Sequence, residues 1–273
     1  MAALYDSIGK GYIRTREADP RIASRLLDIL DIAPASAVLD VGAGTGNYSY
    51  AIAEAGHRVT ALEPSGVMRE QGRVHPRLRW IEGSAERLPF EDNLFDGIVM
   101  TLCLHHFTDW KLALKEASRA VNSGPIVIFT YDAGANSKFW LHDYFPSFLS
   151  KDKEWFPRIA ELRRFAEGNL SRSLQVCRFP LPRDLKDHFA AAGWARPEIY
   201  LDEGYRAGIS SFSCADREGI EDGLQRLAID LESGDWDSKY RRYRNAHSID
   251  VGYVFLRITD GEQDVVADPE DRC

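Results

Sequence analysis

A chain of 273 residues with 44% apolar and 28% charged side chains can bury a sizeable core, and one α/β domain with a single insertion absorbs that length. The formal net charge of −8 argues against a nucleic-acid partner, which needs clustered Lys and Arg to neutralise phosphates. No apolar run approaches the ~20 residues that cross a bilayer, and Met1 to Tyr12 lacks an apolar stretch of signal-peptide length, so a cytoplasmic location is expected. Cysteines stand at 103, 177, 214 and 273 without a CxxC pair. Neither a metal site nor a disulfide framework is expected, and the thiols read as free.

In chain order, residues 5–31 have helical spacing, with Ile22, Leu26, Leu27 and Leu30 recurring on one face and Pro34 ending the run. Ala37–Val41 reads as a short buried strand and Asn47–Ala55 as a helix closed by Gly56. Strands follow at 58–63, 78–82, 95–102 and 125–131, and helices at 65–74 and 109–121, where Asp109 reads as an N-cap. Apolar strands alternating with helices predict a doubly wound α/β fold, its mostly parallel sheet covered on both faces. Residues 133–173 break the rhythm and read as a helical lid insertion. Beyond it, strands are expected at 174–179 and 249–258, with helices at 184–192 and 218–231. The expected organisation is thus 1–132, an N-terminal helix and ligand-binding sheet; 133–173, a helical lid; 174–259, the rest of the sheet domain; and 260–273, a polar, acidic tail that should fray.

The strongest motif is Val38-Leu39-Asp40-Val41-Gly42-Ala43-Gly44-Thr45-Gly46-Asn47. A buried strand runs into three alternating glycines and then a helix, which lets a ligand approach the backbone closely. No Lys-Ser or Lys-Thr follows, so a phosphate-cradling P-loop is disfavoured. Asp40 would repel a pyrophosphate but suits a cationic, amine-bearing ligand. Glu63, 23 residues further on at the end of the next strand, can accept hydrogen bonds from two ribose hydroxyls.

Together with Ala61-Leu62-Glu63-Pro64-Ser65, Gly83 to Phe90, Phe95-Asp96 and Leu104-His105-His106-Phe107, this loop resembles the class I S-adenosylmethionine-dependent methyltransferases. The likeness is to their type-11 group, which is similar to the ubiquinone and menaquinone biosynthesis enzymes. It covers residues 5–132 well and the remainder loosely. It implies a seven-stranded Rossmann-like sheet, S-adenosyl-L-methionine as cofactor and methyl transfer to a small molecule. It also implies roles: Gly42 and Gly44 under the methionine moiety, Glu63 on the ribose, and Met68 on one face of the adenine. Ser84 and Ala85 would meet the adenine edge, Thr101 would line the methionine moiety, and Tyr12, with Arg14, would cover its carboxylate. Where many relatives carry Asp, this chain has Ser84, leaving the backbone N–H of Ala85 to make the adenine contact.

Methyl transfer needs alignment, exclusion of water and, for a protonated nucleophile, a base. His105, following the fourth strand, is the candidate general base, with His106 as the alternative. Phe139, Trp140, Tyr144, Phe145, Phe148, Trp155, Phe156 and Phe165 place eight aromatic rings within 27 residues of the insertion, where the 11% average gives about three. They predict a packed helical cap, some of whose rings wall an apolar or aromatic substrate pocket. Arg158, Arg163 and Arg164 are candidates for a substrate carboxylate or for a solvated helix face. Two other readings stay open from sequence: a nicotinamide-dinucleotide oxidoreductase and a non-catalytic cofactor-binding protein. The oligomeric state and the methylated atom are not readable.

Overall fold

The computed structural model describes residues 15–135 and 139–260; Tyr12, Arg14 and all but the first residue of the acidic tail lie outside them. Of the helical stretch expected over 5–31, residues 5–14 lie outside the described residues, and within the rest the helix is α1 (Pro20–Leu30), residues 15–19 being non-helical. Asp19 caps it by accepting from the Arg21 N–H, and Pro20 occupies the first turn. A proline is tolerated there and not inside a helix, and the residue before it is held extended. Ile22, Leu26, Ile29 and Leu30 form its buried face.

The sheet is assembled from β1 (Ala37–Val41), β2 (Arg58–Leu62), β3 (Leu78–Ile81), β4 (Gly97–Thr101) and β5 (Ile126–Tyr131), joined by α2 (Asn47–Glu54), α3 (Gly66–Glu70) and α4 (Trp110–Ala120). Asp109 caps α4 as expected, accepting from Lys111 and Leu112. The helix expected over 65–74 stops at Glu70, where Gly72 lies so close to the Trp80 indole that a Cβ would sit 2.5 Å from it. Strand order is β3-β2-β1-β4-β5-β9-β6, with β6 at Ser173–Arg178 and β9 at Tyr253–Thr259. Strands β1 to β5 pair in parallel, while β9 runs antiparallel between β5 and β6. Alternation along each strand sends Val38, Val99 and Val127 to one core and Leu39, Ile98 and Ile128 to the other.

Three helices occupy the interruption after β5: α5 (Leu141–Tyr144), α6 (Pro146–Trp155) and α7 (Ile159–Asn169). They divide between the two faces. Aromatics of α5 and α6 join the core that holds α1, whereas Leu162, Phe165 and Ala166 of α7 join the opposite core, Phe165 meeting Trp110 edge-on at 5.3 Å. A two-stranded ribbon, β7 (Leu181–Pro182) with β8 (Ser248–Ile249), brackets the C-terminal helices α8 (Glu203–Ala207), α9 (Ser210–Cys214), α10 (Arg217–Ser233) and α11 (Asp235–Asn245). They pack onto Trp140, Tyr144 and Phe145 through Trp236, Tyr240 and Phe212. Sequence spacing identified α10 but not α11, whose buried face is spread over Trp236, Tyr240 and Tyr243 across a kink.

The helix expected at 184–192 does not form. The N–H of Lys186 is taken by the Asp19 carboxylate, that of His188 by the Thr15 carbonyl, and the Asp187 side chain is drawn inward to Arg16 and Tyr48. These long-range bonds displace the local helical ones. The cysteines also depart from expectation: Cys103 and Cys214 are free, but Cys177 on β6 is disulfide-bonded.

Candidate functional site

Two cavities meet at the C-terminal ends of β1, β2 and β4, where the strand order reverses, the usual ligand crevice of such a sheet. The first lies over the glycine loop and holds about 830 Å³ of space, part of it open to solvent. Gly42, Gly44 and Gly46 have φ of 71°, 58° and 72°, left-handed values that favour glycine. The loop then enters α2 with its backbone exposed to the cavity. Beneath Gly42 the packing is tight, since a Cβ there would stand 2.8 Å from that of Cys103. The Cys103 thiol donates to the Val41 carbonyl and is raised well above its ordinary pKa by burial, with the charges of Asp40 and Glu63 adding to the rise. It is a packing group.

Asp40 ends up 2% exposed on the cavity wall. Its Oδ2 accepts from the Ser49 hydroxyl at 2.5 Å, while Oδ1 is buried without a partner. Burial pushes the carboxyl up to about 7, against the Ser49 hydrogen bond and with the charge of Glu63 adding to the rise. A buried carboxylate oxygen lacking a donor calls for one from a ligand. Glu63 is 7% exposed, and its two oxygens accept from the N–H groups of Gly44 and Ser65, each at 2.9 Å. It therefore ties the glycine loop to the end of β2. Met68 and Thr101 line the same cavity, the Thr101 hydroxyl without a partner. Ser84 and Ala85 line neither cavity: Ser84 bridges to Arg87, and Ala85 is buried with Leu62 and Leu88. Tyr12 falls outside the described residues.

The second cavity holds about 750 Å³. Arg16, Leu102 and His106 line both cavities, so the two adjoin through these side chains. His105 lines only the second, its ring stacked on Phe156 at 4.3 Å and against His106 at 3.8 Å. Burial holds His105 well below the ordinary histidine range, helped by His106 and Arg16, and brings His106 down to about 3, helped by Arg16. Both imidazoles are neutral at working pH. The aromatic insertion contributes Phe139, Phe148, Trp155 and Phe156 to this wall; Trp140, Tyr144 and Phe145 are core, and Phe165 lies on the other face. Arg163 donates to the Leu174 carbonyl, and neither it, Arg158 nor Arg164 reaches a cavity.

Sequence reasoning missed Arg16 and Asp187. The Arg16 guanidinium pairs with Asp187 through Nε, and through Nη2 at 3.3 Å, while the Tyr48 hydroxyl donates to the same carboxylate at 2.9 Å. The two residues are 171 positions apart, and no local pattern announces such a pair.

Comparison with known proteins bears on the family and the fold. Residues 39–129 match a family model described as a methyltransferase domain. A solved structure from Anabaena variabilis, assigned provisionally as a methyltransferase of an antibiotic biosynthesis pathway, is 42% identical, covers 90% of this chain and 99% of its own, and superposes with a TM-score of 0.86. The demethylmenaquinone methyltransferase of Renibacterium salmoninarum is 34% identical over 45% of this chain, and that of Streptomyces avermitilis 26% identical over 72%. The chain spans 55% of the length of the first and 86% of the second. A Haemonchus contortus phosphoethanolamine N-methyltransferase, solved with S-adenosyl-L-methionine, shares the fold at 18% identity, with a TM-score of 0.58 over 92% of this chain and 56% of its own. Among the described residues no helix is long and apolar enough to cross a membrane, and no cluster of side chains is built to hold a metal ion. The chain belongs to the S-adenosylmethionine-dependent methyltransferases.

Proposed function

We propose that the chain transfers the methyl group of S-adenosyl-L-methionine to a small acceptor with an apolar or aromatic body, seated in the second cavity. The observation that carries this reading is the shared wall: Arg16, Leu102 and His106 line both cavities, so molecules held in the two would meet there. The acceptor's character follows from the rings of Tyr131, Phe139, Phe148, Phe156 and Tyr253 in its cavity. Curated relatives named as demethylmenaquinone methyltransferases, and one named as a malonyl-[acyl-carrier protein] O-methyltransferase, are compatible with acceptors of different shape.

In this reading the unpartnered Oδ1 of Asp40 takes the α-ammonium of the cofactor. Gly42 and Gly44 offer backbone beneath the methionine moiety, Glu63 accepts from the ribose, Met68 packs on adenine, and Thr101 lines the methionine end. The cofactor supplies a methyl group activated on a sulfonium. The residues align the acceptor with it, exclude water, and offer neutral imidazoles at His106, on the wall common to both cavities, and at His105 beside it, for a proton the acceptor must lose. Incubating the chain with isotope-labelled S-adenosyl-L-methionine and metabolite extracts tests the proposal. Labelled products one methyl group heavier are expected by mass spectrometry, and S-adenosyl-L-methionine binding without any such product across aromatic and apolar fractions would refute it.

A further inference from the structure

A carboxylate stands among the aromatic rings of the second cavity. Along α6, Phe148, Asp152 and Trp155 follow one another at four- and three-residue spacing, which puts Asp152 in the middle of the aromatic stripe facing the cavity. Asp152 is 9% exposed and His142, which α5 brings beside it, 8%. Their closest approach is 3.7 Å, from His142 Nε2 to Asp152 Oδ2, and His142 Nδ1 has no partner. Among the described residues no hydrogen bond reaches either side-chain oxygen of Asp152. Its charge is felt across the cavity, where burial raises the phenols of Tyr131 and Tyr253 and Asp152 adds to both.

A carboxylate on a cavity wall is costly to strip of water unless an opposite charge or hydrogen-bond donors compensate it. Among the described residues the compensation on this wall is incomplete. Arg16, the cationic side chain among the described lining residues, is turned onto Asp187. His105 and His106 are held neutral, and His142 balances Asp152 only when protonated. Among its described lining residues the cavity thus combines a carboxylate that no lysine or arginine pairs with and the faces of aromatic rings, the two features that together attract an organic cation.

We propose that Asp152, steadied by His142, is the specificity anion of the acceptor pocket and selects acceptors carrying a protonated amine as a handle on their apolar or aromatic body. Asp152 and His142 line the second cavity and not the first, so the handle is separate from the cofactor's own α-ammonium at Asp40. The inference rests on the reading of the second cavity as the acceptor site.

Three probes of nearly equal shape test it on the full chain saturated with S-adenosylhomocysteine: 2-phenylethylamine, 2-phenylethanol and phenylacetate, titrated under ligand-observed NMR. The amine should bind at least tenfold more tightly than the alcohol, and phenylacetate more weakly than both. Asp152→Asn, close to isosteric, should bring amine and alcohol within about twofold of each other, and His142→Phe should reduce the amine preference in part. S-adenosylhomocysteine affinity, unchanged in both variants, certifies the fold. Equal binding of amine and alcohol to the parent chain, or an amine preference that survives Asp152→Asn, overturns the role of Asp152 while leaving the acceptor pocket standing. If none of the three probes binds, the reading of the second cavity fails, and the inference with it.

Discussion

Asp40 gives the sharpest handle on the cofactor site. In the ligand-free chain its carboxyl titrates at about 7, so about one-tenth is ionised at pH 6 and about nine-tenths at pH 8. In the proposed arrangement S-adenosylhomocysteine brings an α-ammonium that pairs with the ionised form. Its apparent affinity then scales with the ionised fraction and should be about tenfold weaker at pH 6 than at pH 8. Binding at pH 6 should release about 0.9 proton, falling to about 0.1 at pH 8. Calorimetric titration in buffers of differing ionisation enthalpy reads both quantities. Stability carries the opposite sign. The folded pKa of Asp40 lies above the unfolded value of about 3.9, so the native state binds the extra proton between those limits. The contribution of this group is fully present at low pH and declines by up to about 1.4 kcal/mol per pH unit as pH rises toward 7. Asp40→Asn should abolish both dependences and weaken binding at pH 8. An affinity flat from pH 5.5 to 8 with no proton release would refute the pairing of Asp40 with the ligand ammonium.

Two further outcomes are expected. Gly42→Ala places a Cβ against Cys103 at a residue with φ of 71°, and should lower stability by at least about 1–2 kcal/mol in urea unfolding and weaken S-adenosylhomocysteine; unchanged stability and affinity would mean the loop is not held as described. His106→Ala should cut kcat about 10²–10⁴-fold if proton removal limits turnover, more than His105→Ala, with S-adenosylhomocysteine affinity kept in both. Since His106 is brought down to about 3, its loss should not remove an acidic limb near pH 6.5, and full turnover in both variants would leave catalysis to alignment alone.

What the sequence made legible was local. The strand-to-glycine-loop transition, Glu63 at the next strand end and the Asp109 cap are each written within a few consecutive residues, and the residues around the loop stand together on one cavity wall. Groups from distant segments were not legible. Arg16 reaches Asp187 across 171 residues, in a stretch whose spacing argued for a helix that tertiary hydrogen bonds prevent. The aromatic density of the insertion was visible, but helix spacing cannot say which rings reach a cavity and which, like Phe165, pass to the far side of the sheet. Asp152 drew no notice because an acidic residue on a helix usually faces water; only its neighbours in space show that it does not.

The placement of β9 bears on how the molecule comes into being. β6 is bonded along one edge, and its neighbour there is β9, which begins at Tyr253, long after β6 ends at Arg178. During synthesis β6 therefore waits unpaired while four helices and the small ribbon emerge. Tyr253 at the start of β9 also supplies a wall of the second cavity. The parallel half with its glycine loop has partners nearer in sequence, so most of the first cavity's wall can form before the second cavity exists. Closure of the sheet and completion of that pocket are one late event, slow in the manner of strand pairings between distant segments.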